Sequence, residues 1–314
     1  MTKHRILLTG AAGFVGHHLT GILKAGNFDV MATSKDAPAG AAIAELDVTD
    51  PAAVHAAVTA IKPTHIVHLA GLPTVAGATA NPDEAWHVNV IATLNIARAV
   101  LSCAPDCVLI FAGSGEVYGT SLTTHRPVNE ATLIAPTNEY AATKAAADLA
   151  LGAMAVRGLK SIRFRPFNHT GPGQSEDFVI PAFAAQIARI EAGLQPPVIR
   201  VGNLDAERDF LDVRDIARAY ALAIEKSGAI AAGTIVNLAS GAPRRIGDVL
   251  DFLLSQSSHR IAIEVDPARA RSHDVTVSTA DASAAKRLLG WVPQTPLNET
   301  LADVLAYWRQ RIRR

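Results

Sequence analysis

Tyr140 and Lys144 stand four residues apart in a stretch, about Thr137 to Arg157, that reads as a helix. On a helix that spacing puts both side chains on one face, one turn apart. A phenol beside an ammonium suits the reduction of a ketone. Hydride arrives at carbon, negative charge grows on oxygen, and a proton must be supplied. A free Tyr has a pKa of about 10, and a nearby ammonium is expected to draw it down toward the working pH. Ser114 lies just past the apolar run Cys107–Ala112 and is placed to hydrogen-bond the same carbonyl oxygen. A Tyr and a Lys on an exposed helix face would show the same spacing, so the surrounding elements must decide.

Upstream, Thr9-Gly10-Ala11-Ala12-Gly13-Phe14-Val15-Gly16 joins an apolar strand, Arg5–Thr9, to a helix carrying Phe14, Val15, Leu19, Ile22 and Leu23 on one face. Glycines in that position let the backbone turn tightly and come close to a diphosphate. The helix N-terminus offers that anion free N–H groups and partial positive charge. Gly26 and Asn27 stop the helix, and Phe28–Thr33 reads as the next strand. Asp50-Pro51 is a cap followed by Pro at the first helical position. Asn81-Pro82 repeats the signal and opens a long helix to about Cys103. His65–Ala70, Cys107–Ala112 and Ser161–Arg165 read as buried strands. Apolar strands alternating with helices require crossovers and a parallel sheet covered on both faces. The expected fold is therefore α/β, a doubly wound Rossmann-type domain with a smaller α/β substrate lobe. Residues 1–166 plus about 211–240 are expected in the first unit, and 167–210 plus about 241–314 in the second.

The chain has 314 residues, 49% hydrophobic and 18% charged, with a formal net charge of zero, which suits a compact protein and gives no basic surface for nucleic acid or lipid. Its two cysteines, Cys103 and Cys107, straddle a helix end and a strand start and are expected as free thiols. No spacing of Cys and His suggests a metal site. No apolar run approaches a membrane span, and the expected location is cytoplasmic.

The GxxGxxG spacing resembles the short-chain dehydrogenase/reductase superfamily. The resemblance continues through Asp47-Val48, like its adenine-contacting acidic turn, His68-Leu69-Ala70-Gly71 after a later strand, and Asn89. Asp47 also reads as a plain turn residue and Asn89 as a packing residue. Ser114, Tyr140 and Lys144 look like the family's catalytic triad, and Pro166-Phe167-Asn168 like its nicotinamide-to-substrate segment. Residues Arg208–Asp215 (RDFLDVRD) resemble the RDFxxVxD segment of nucleotide-sugar enzymes in the extended branch, and Gly290-Trp291-Val292-Pro293 their C-terminal signature. Arg165–Gln174, then Phe178-Val179-Ile180-Pro181 and Val201–Asp205, are most similar to GDP-6-deoxy-D-mannose reductases, although GDP-mannose 4,6-dehydratases carry a related pattern.

The resemblance implies a dinucleotide held by Gly10, Gly13, Phe14, Val15, Gly16, Ser34, Lys35, Asp47, Val48, Leu69, Ala70, Gly71, Asn89, Tyr140, Lys144 and Pro166. After the second strand no acid appears until Asp36, while Ser34 and Lys35 suit a 2′-phosphate, so NADP is expected over NAD. A GDP-sugar would meet Ser114, Gly115, Glu116, Asn168, Phe178, Val179, Arg208, Arg269 and Arg271. Arg208 and Arg271 are expected to clamp its diphosphate, although Ser272 and His273 replace the Pro and Gly of the family's RPGDV segment. The expected activity is reduction of a 4-keto-6-deoxy sugar, giving a product such as GDP-D-rhamnose. A dehydratase, a 4-epimerase and a non-catalytic NADP-binding regulator are the alternatives. The intact Ser, Tyr and Lys argue against the regulator, and Gly115, where dehydratases carry a polar group, argues against elimination. The family also implies a homodimer through the helices near 82–103 and 137–157.

Overall fold

The structure is a computed structural model that describes residues 4–26, 28–37, 40, 42–124, 126–267 and 275–313. Its centre is a seven-stranded parallel sheet. The strands are β1 (Arg5–Thr9), β2 (Asp29–Ser34), β3 (Ala44–Glu45), β4 (His65–His68), β5 (Val108–Ala112), β6 (Ser161–Pro166) and β11 (Thr234–Leu238). They lie in the order β11-β6-β5-β4-β1-β2-β3. The chain reverses its direction of travel between β1 and β4, and in such sheets ligands bind outside the carboxyl ends of the strands at that point.

Alternation along each strand supplies two apolar faces. Ile6 and Leu8 of β1 face a core completed by Leu19 and Leu23 of α1 (Phe14–Ala25) and by Ile216 and Tyr220 of α8 (Val213–Lys226). Leu7 faces the opposite way, with Ile66 and Leu109, onto Val54 of α2 (Pro51–Ile61), Ile96 of α5 (Ala92–Cys103) and Leu151 of α6 (Glu139–Val156). The expected cap at Asp50 is present, its carboxylate accepting from the Ala52 and Ala53 N–H groups. The long helix expected from Pro82 to about Cys103 is present and contains one π-helical turn. A short helix α3 (Val75–Ala80) precedes it, Asn81 makes no side-chain cap bond, and α4 (Pro82–Trp86) passes through one π-helical turn, His87–Ile91, before α5. Gly26 ends α1 as expected; its companion Asn27 lies outside the described residues.

Beyond Pro166 come β7 (Asn168–Thr170), α7 (Val179–Glu191), β8 (Val198–Val201), β9 (Glu207–Arg208) and β10 (Phe210–Asp212). After β11 follow β12 (Arg244–Arg245), α9 (Ile246–Ser255), β13 (Ala262–Val265), β14 (Val277–Ser278), α10 (Ser283–Leu289) and α11 (Leu297–Arg313). A separate core forms where Phe183, Ile187, Leu250, Leu253, Val304 and Trp308 of α7, α9 and α11 meet. Residues 283–291 depart from the expected division of the chain. Ala285, Leu289 and Trp291 pack into the sheet core, and the Trp291 indole donates to Asp215 O at 2.8 Å. Gly290 permits this by ending α10 at φ 63°. No described helix is long and apolar enough to cross a membrane.

Candidate active site

The Gly-rich turn is packed against the loop that follows β4. Gly10 has φ +71°, and a Cβ there would meet Ala70 N at 2.6 Å and the Leu69 carbonyl carbon at 2.8 Å. A Cβ on Gly16 would collide with Gly10 O and approach Ala11 Cα to 2.7 Å. Two segments far apart in sequence thus form one cradle that only glycine fits. Gly13 caps α1 without any side-chain bond, and no acid occupies the first turn. The first-turn N–H groups therefore suit a diphosphate in charge and in space.

At the end of β2, Lys35 Nζ lies 3.1 Å from Asp47 Oδ2. Asp47 also accepts from Thr49 N at 2.9 Å and Thr49 Oγ1 at 2.6 Å, bonds that hold its carboxyl below the usual carboxylate range. The two residues expected to meet the adenosine end of the cofactor are paired with each other. Val48 is buried, and its carbonyl accepts from Asn95 Nδ2 at 3.3 Å.

Ser114, Tyr140 and Lys144 meet at the carboxyl end of β5. Asn138 caps α6 through the Ala141 N–H at 2.9 Å, which sets the first turn that carries Tyr140. The Tyr140 phenol lies near enough to Ser114 for the serine to favour its ionised form, and Ser114 Oγ accepts from Glu116 N at 3.1 Å. Lys144 is buried, donates to Ala112 O at 2.9 Å and lies 5.4 Å from the Phe111 ring centroid. Here the electrostatics depart from the sequence expectation. Burial, aided by the Glu116 charge, pushes the Tyr140 phenol up to about 12 against the opposing effect of Ser114. Burial brings Lys144 down to about 8. The ammonium is engaged by the Ala112 carbonyl, and desolvation of the phenolate outweighs any pull from it.

On the substrate side, Gly115 lies against the Phe167 ring. A Cβ at Gly115 would meet Phe167 Cδ2 and Cε2 at 2.7 Å and Cζ at 3.0 Å. Phe167 cannot readily yield, because Tyr118 stacks beside it with centroids 6.3 Å apart and its N–H is bonded to Leu238 O at 2.8 Å. Tyr118 is itself fixed, donating to Asn237 Oδ1 at 2.8 Å and accepting from Arg165 Nη1 at 3.0 Å. Arg165 and Arg163 both bind the buried Asp148 carboxylate, at 2.7 and 2.5 Å. This network escaped the sequence reading. Two arginines inside an otherwise buried strand, SIRFRP, were the available signal, since buried charges require partners.

Asn168 opens β7 opposite Phe210, and Phe178 and Val179 begin α7. His169 stacks on Phe14 at 6.2 Å, and His18 Nε2 lies 2.9 Å from Pro172 O, so this loop rests on the first turns of α1. Arg208 is buried, and its Nη1 donates to Glu207 O at 2.9 Å and Val275 O at 2.7 Å. Arg269 and Arg271 lie outside the described residues. The rest of the RDFLDVRD segment has structural partners. Asp209 accepts from the Ser240 and Gly241 N–H groups at 2.8 Å, Asp212 from Thr300 Oγ1 at 2.7 Å, and Asp215 from the Gln294 and Thr295 N–H groups at 2.9 Å. Both cysteines are free, and no three His, Cys, Asp or Glu side chains gather as a metal site among the described residues.

A doubly wound sheet with a GxxGxxG turn at β1 and a Ser, Tyr and Lys set beyond β5 and on α6 defines an extended short-chain dehydrogenase/reductase. The family model for GDP-mannose 4,6 dehydratase matches residues 7–304, and the chain belongs to that family. It is 31% identical over 310 residues to a GDP-6-deoxy-D-mannose reductase of Pseudomonas aeruginosa, covering 98% of each chain. It is 29% identical over 291 residues to a GDP-6-deoxy-D-talose 4-dehydrogenase of Aggregatibacter actinomycetemcomitans, covering 91% of each. Among solved structures it matches RMD from Pseudomonas aeruginosa complexed with NADPH, with a TM-score of 0.85 and 28% identity over 98% of this chain and 99% of that one. Members of the family are NAD(P)-dependent nucleotide-sugar enzymes.

Proposed function

We propose that the protein reduces the 4-keto group of a GDP-4-keto-6-deoxyhexose at the expense of NADPH, most directly GDP-4-keto-6-deoxy-D-mannose to GDP-D-rhamnose. When bound, NADPH supplies the hydride that reaches C4. Tyr140 gives its phenolic proton to the oxygen that was the ketone, and Ser114 donates a hydrogen bond to that oxygen. Lys144 orients the cofactor ribose and offers its positive charge to the phenolate left on Tyr140. The Gly10–Gly16 turn and Leu69–Gly71 hold the dinucleotide, Asn89 and Pro166 border it, and Ser34 and Lys35 meet the 2′-phosphate once Lys35 exchanges Asp47 for it. Asn168, Phe178, Val179 and Arg208, with Arg269 and Arg271, receive the nucleotide sugar.

The observation that supports this reading is the close packing of Gly115 against the Phe167 ring, next to Ser114. Elimination of water from C5 and C6 needs a group that protonates the departing hydroxyl. At Gly115 there is no such group and no room for one. The protein should therefore consume NADPH with freshly made GDP-4-keto-6-deoxymannose, with the product identified by NMR, and leave GDP-mannose unchanged. Conversion of GDP-mannose to its 4-keto-6-deoxy form would instead assign a dehydratase.

The reading extends to a homodimer and to two lobes divided near residues 166, 210 and 240, with residues 283–291 returning to the first lobe. A groove of about 600 Å³ between α5 and α6, lined by Leu94, Leu101, Ala153 and Met154, supports the dimer. So do Leu149 and Val156 on α6, 60% and 90% exposed in the single chain. Sedimentation measures it.

A further inference from the structure

One buried polar side chain touches both halves of the site and takes no part in the chemistry above. His68 ends β4 and is 1% exposed. Its Nδ1 lies 2.8 Å from Thr9 Oγ1, at the residue where β1 enters the Gly-rich turn. Its Nε2 lies 3.0 Å from Thr93 Oγ1, on the first turn of α5. Thr93 Oγ1 in turn donates to Asn89 O at 2.8 Å, inside the π-helical turn.

These contacts fix the proton positions. A hydroxyl has one proton, and that of Thr93 is spent on the Asn89 carbonyl, so Thr93 can only accept from His68. Nε2 must therefore carry the hydrogen. In a neutral ring Nδ1 is then an acceptor, and the Thr9 hydroxyl donates to it. The Thr9 oxygen still accepts the Ala70 N–H at 3.4 Å. Burial and the nearby Lys144 charge both disfavour a second proton on the ring.

The chain of bonds continues from the π-helical turn to the catalytic helix. Asn89 Oδ1 accepts from Leu72 N at 2.8 Å, and Nδ2 donates to Thr143 Oγ1 at 3.0 Å. Thr143 Oγ1 donates to Tyr140 O at 2.8 Å. A Cβ on Gly71 would lie 2.9 Å from Asn89 Oδ1 and 3.3 Å from Lys144 Nζ, so the same asparagine fixes the backbone that borders the ammonium. A π-helical turn inside an α-helix is rare, and those that occur are frequently at functional sites. Here the turn is held from outside its own helix.

We infer that His68 is a positioning residue: as a fixed Nε2–H tautomer it couples the strand end that launches the dinucleotide turn to Asn89, and through Thr143 to the turn of α6 carrying Tyr140 and Lys144. The consequence is that Thr9 and Thr93, on different elements and with no direct bond between them, act as one unit.

The test is a cycle of Thr9→Val, Thr93→Val and the double variant. Affinity is read by fluorescence titration with NADPH or NADH, whichever the parent binds more tightly, and kcat with the keto sugar, alongside the melting temperature. Each single change leaves a buried partner unsatisfied and is expected to weaken cofactor binding about threefold to tenfold. The double variant should be no weaker than the worse single, because either cut opens the relay. In a His68→Leu background, if that variant folds, each change should cost clearly less than in the parent, keeping only the loss of the Thr93–Asn89 and Thr9–Ala70 bonds. Losses that multiply in the double variant would overturn the inference. So would a fall in melting temperature with cofactor affinity and kcat both unchanged, which marks a packing role alone. The kinetic arm rests on the proposed reductase activity, but the binding arm needs no sugar. If the keto sugar is not turned over by the parent, that reading fails while the binding cycle still decides this one.

Discussion

Gly115→Ala perturbs the site by one methyl group and should impair it. Gly115 does not have positive φ, so the backbone tolerates alanine and the effect is steric. The new Cβ would start 2.7 Å from two Phe167 ring carbons. Carbon atoms prefer separations of about 3.5–4.0 Å, so the ring or the Ser114–Glu116 turn must give by roughly 0.8 Å or more. Phe167 is 3% exposed, between Gly115 and Tyr118, and Tyr118 is tied to Asn237 and Arg165. Overpacking a well-filled core costs about 1–3 kcal/mol. If the strain falls on the turn, Ser114 moves, and a misplacement of about 1 Å costs about a hundredfold in rate. The expected outcome is a urea midpoint lowered by that stability loss and a tenfold to hundredfold lower turnover, as about 1.4 kcal/mol is tenfold. Phe167→Leu in the same chain should relieve the clash and recover part of both. The steric reasoning fails if Gly115→Ala matches the parent in midpoint and turnover, or if the double variant is no better than the single.

Tyr140→Phe should lose about 10²- to 10⁴-fold in turnover while keeping NADPH affinity, and near-normal turnover in stopped-flow would remove Tyr140 as proton donor. Lys144, brought down to about 8 by burial, is charged below that value and neutral above it. The kcat/KM profile should therefore fall as pH rises through about 8, and a profile flat well beyond that point would contradict the role given to its charge. His65 and His68 are held at about 4 and about 3 by burial, below the ordinary value of 6.5. Groups depressed in the folded state favour it above the unfolded pKa and lose that contribution as pH falls. At about pH 4.5 each should cost roughly 2–3 kcal/mol of stability relative to neutral pH, and His68→Gln should flatten this loss in urea titrations. Lys35→Ala should reduce the preference for NADPH over NADH by about tenfold or less, since Lys35 is exposed, and an unchanged ratio of kcat/KM values would leave Lys35 as a surface partner of Asp47 alone.

Features governed by local chemistry were legible in the residues. The strand before the Gly-rich turn, the Asp50 cap and the Tyr140–Lys144 face depend on neighbours within one turn or strand. Features governed by distant partners were not. The π-helical turn at His87–Ile91 is held through Thr93 by His68, on another element, and no spacing within the helix encodes it. The RDFLDVRD pattern was visible, but its acids serve the 240–241 loop, the start of α8 and residues 294–295. Gly290 and Trp291 likewise close a helix and fill the sheet core, so a recognisable motif marked packing. The direction of the Tyr140 shift was missed because the residues show a Lys one turn away and do not show how far the phenol is buried.

The proposed reaction would transfer a hydride from NADPH to C4 of a keto sugar while Tyr140 protonates its oxygen. NADPH carrying deuterium at the transferable nicotinamide position, incubated with GDP-4-keto-6-deoxymannose, tests it most directly. The account predicts a 6-deoxyhexose product with one deuterium, located at C4 by NMR, and no such product from the Tyr140→Phe variant. Product without deuterium at C4, or deuterium distributed to C5, would contradict it.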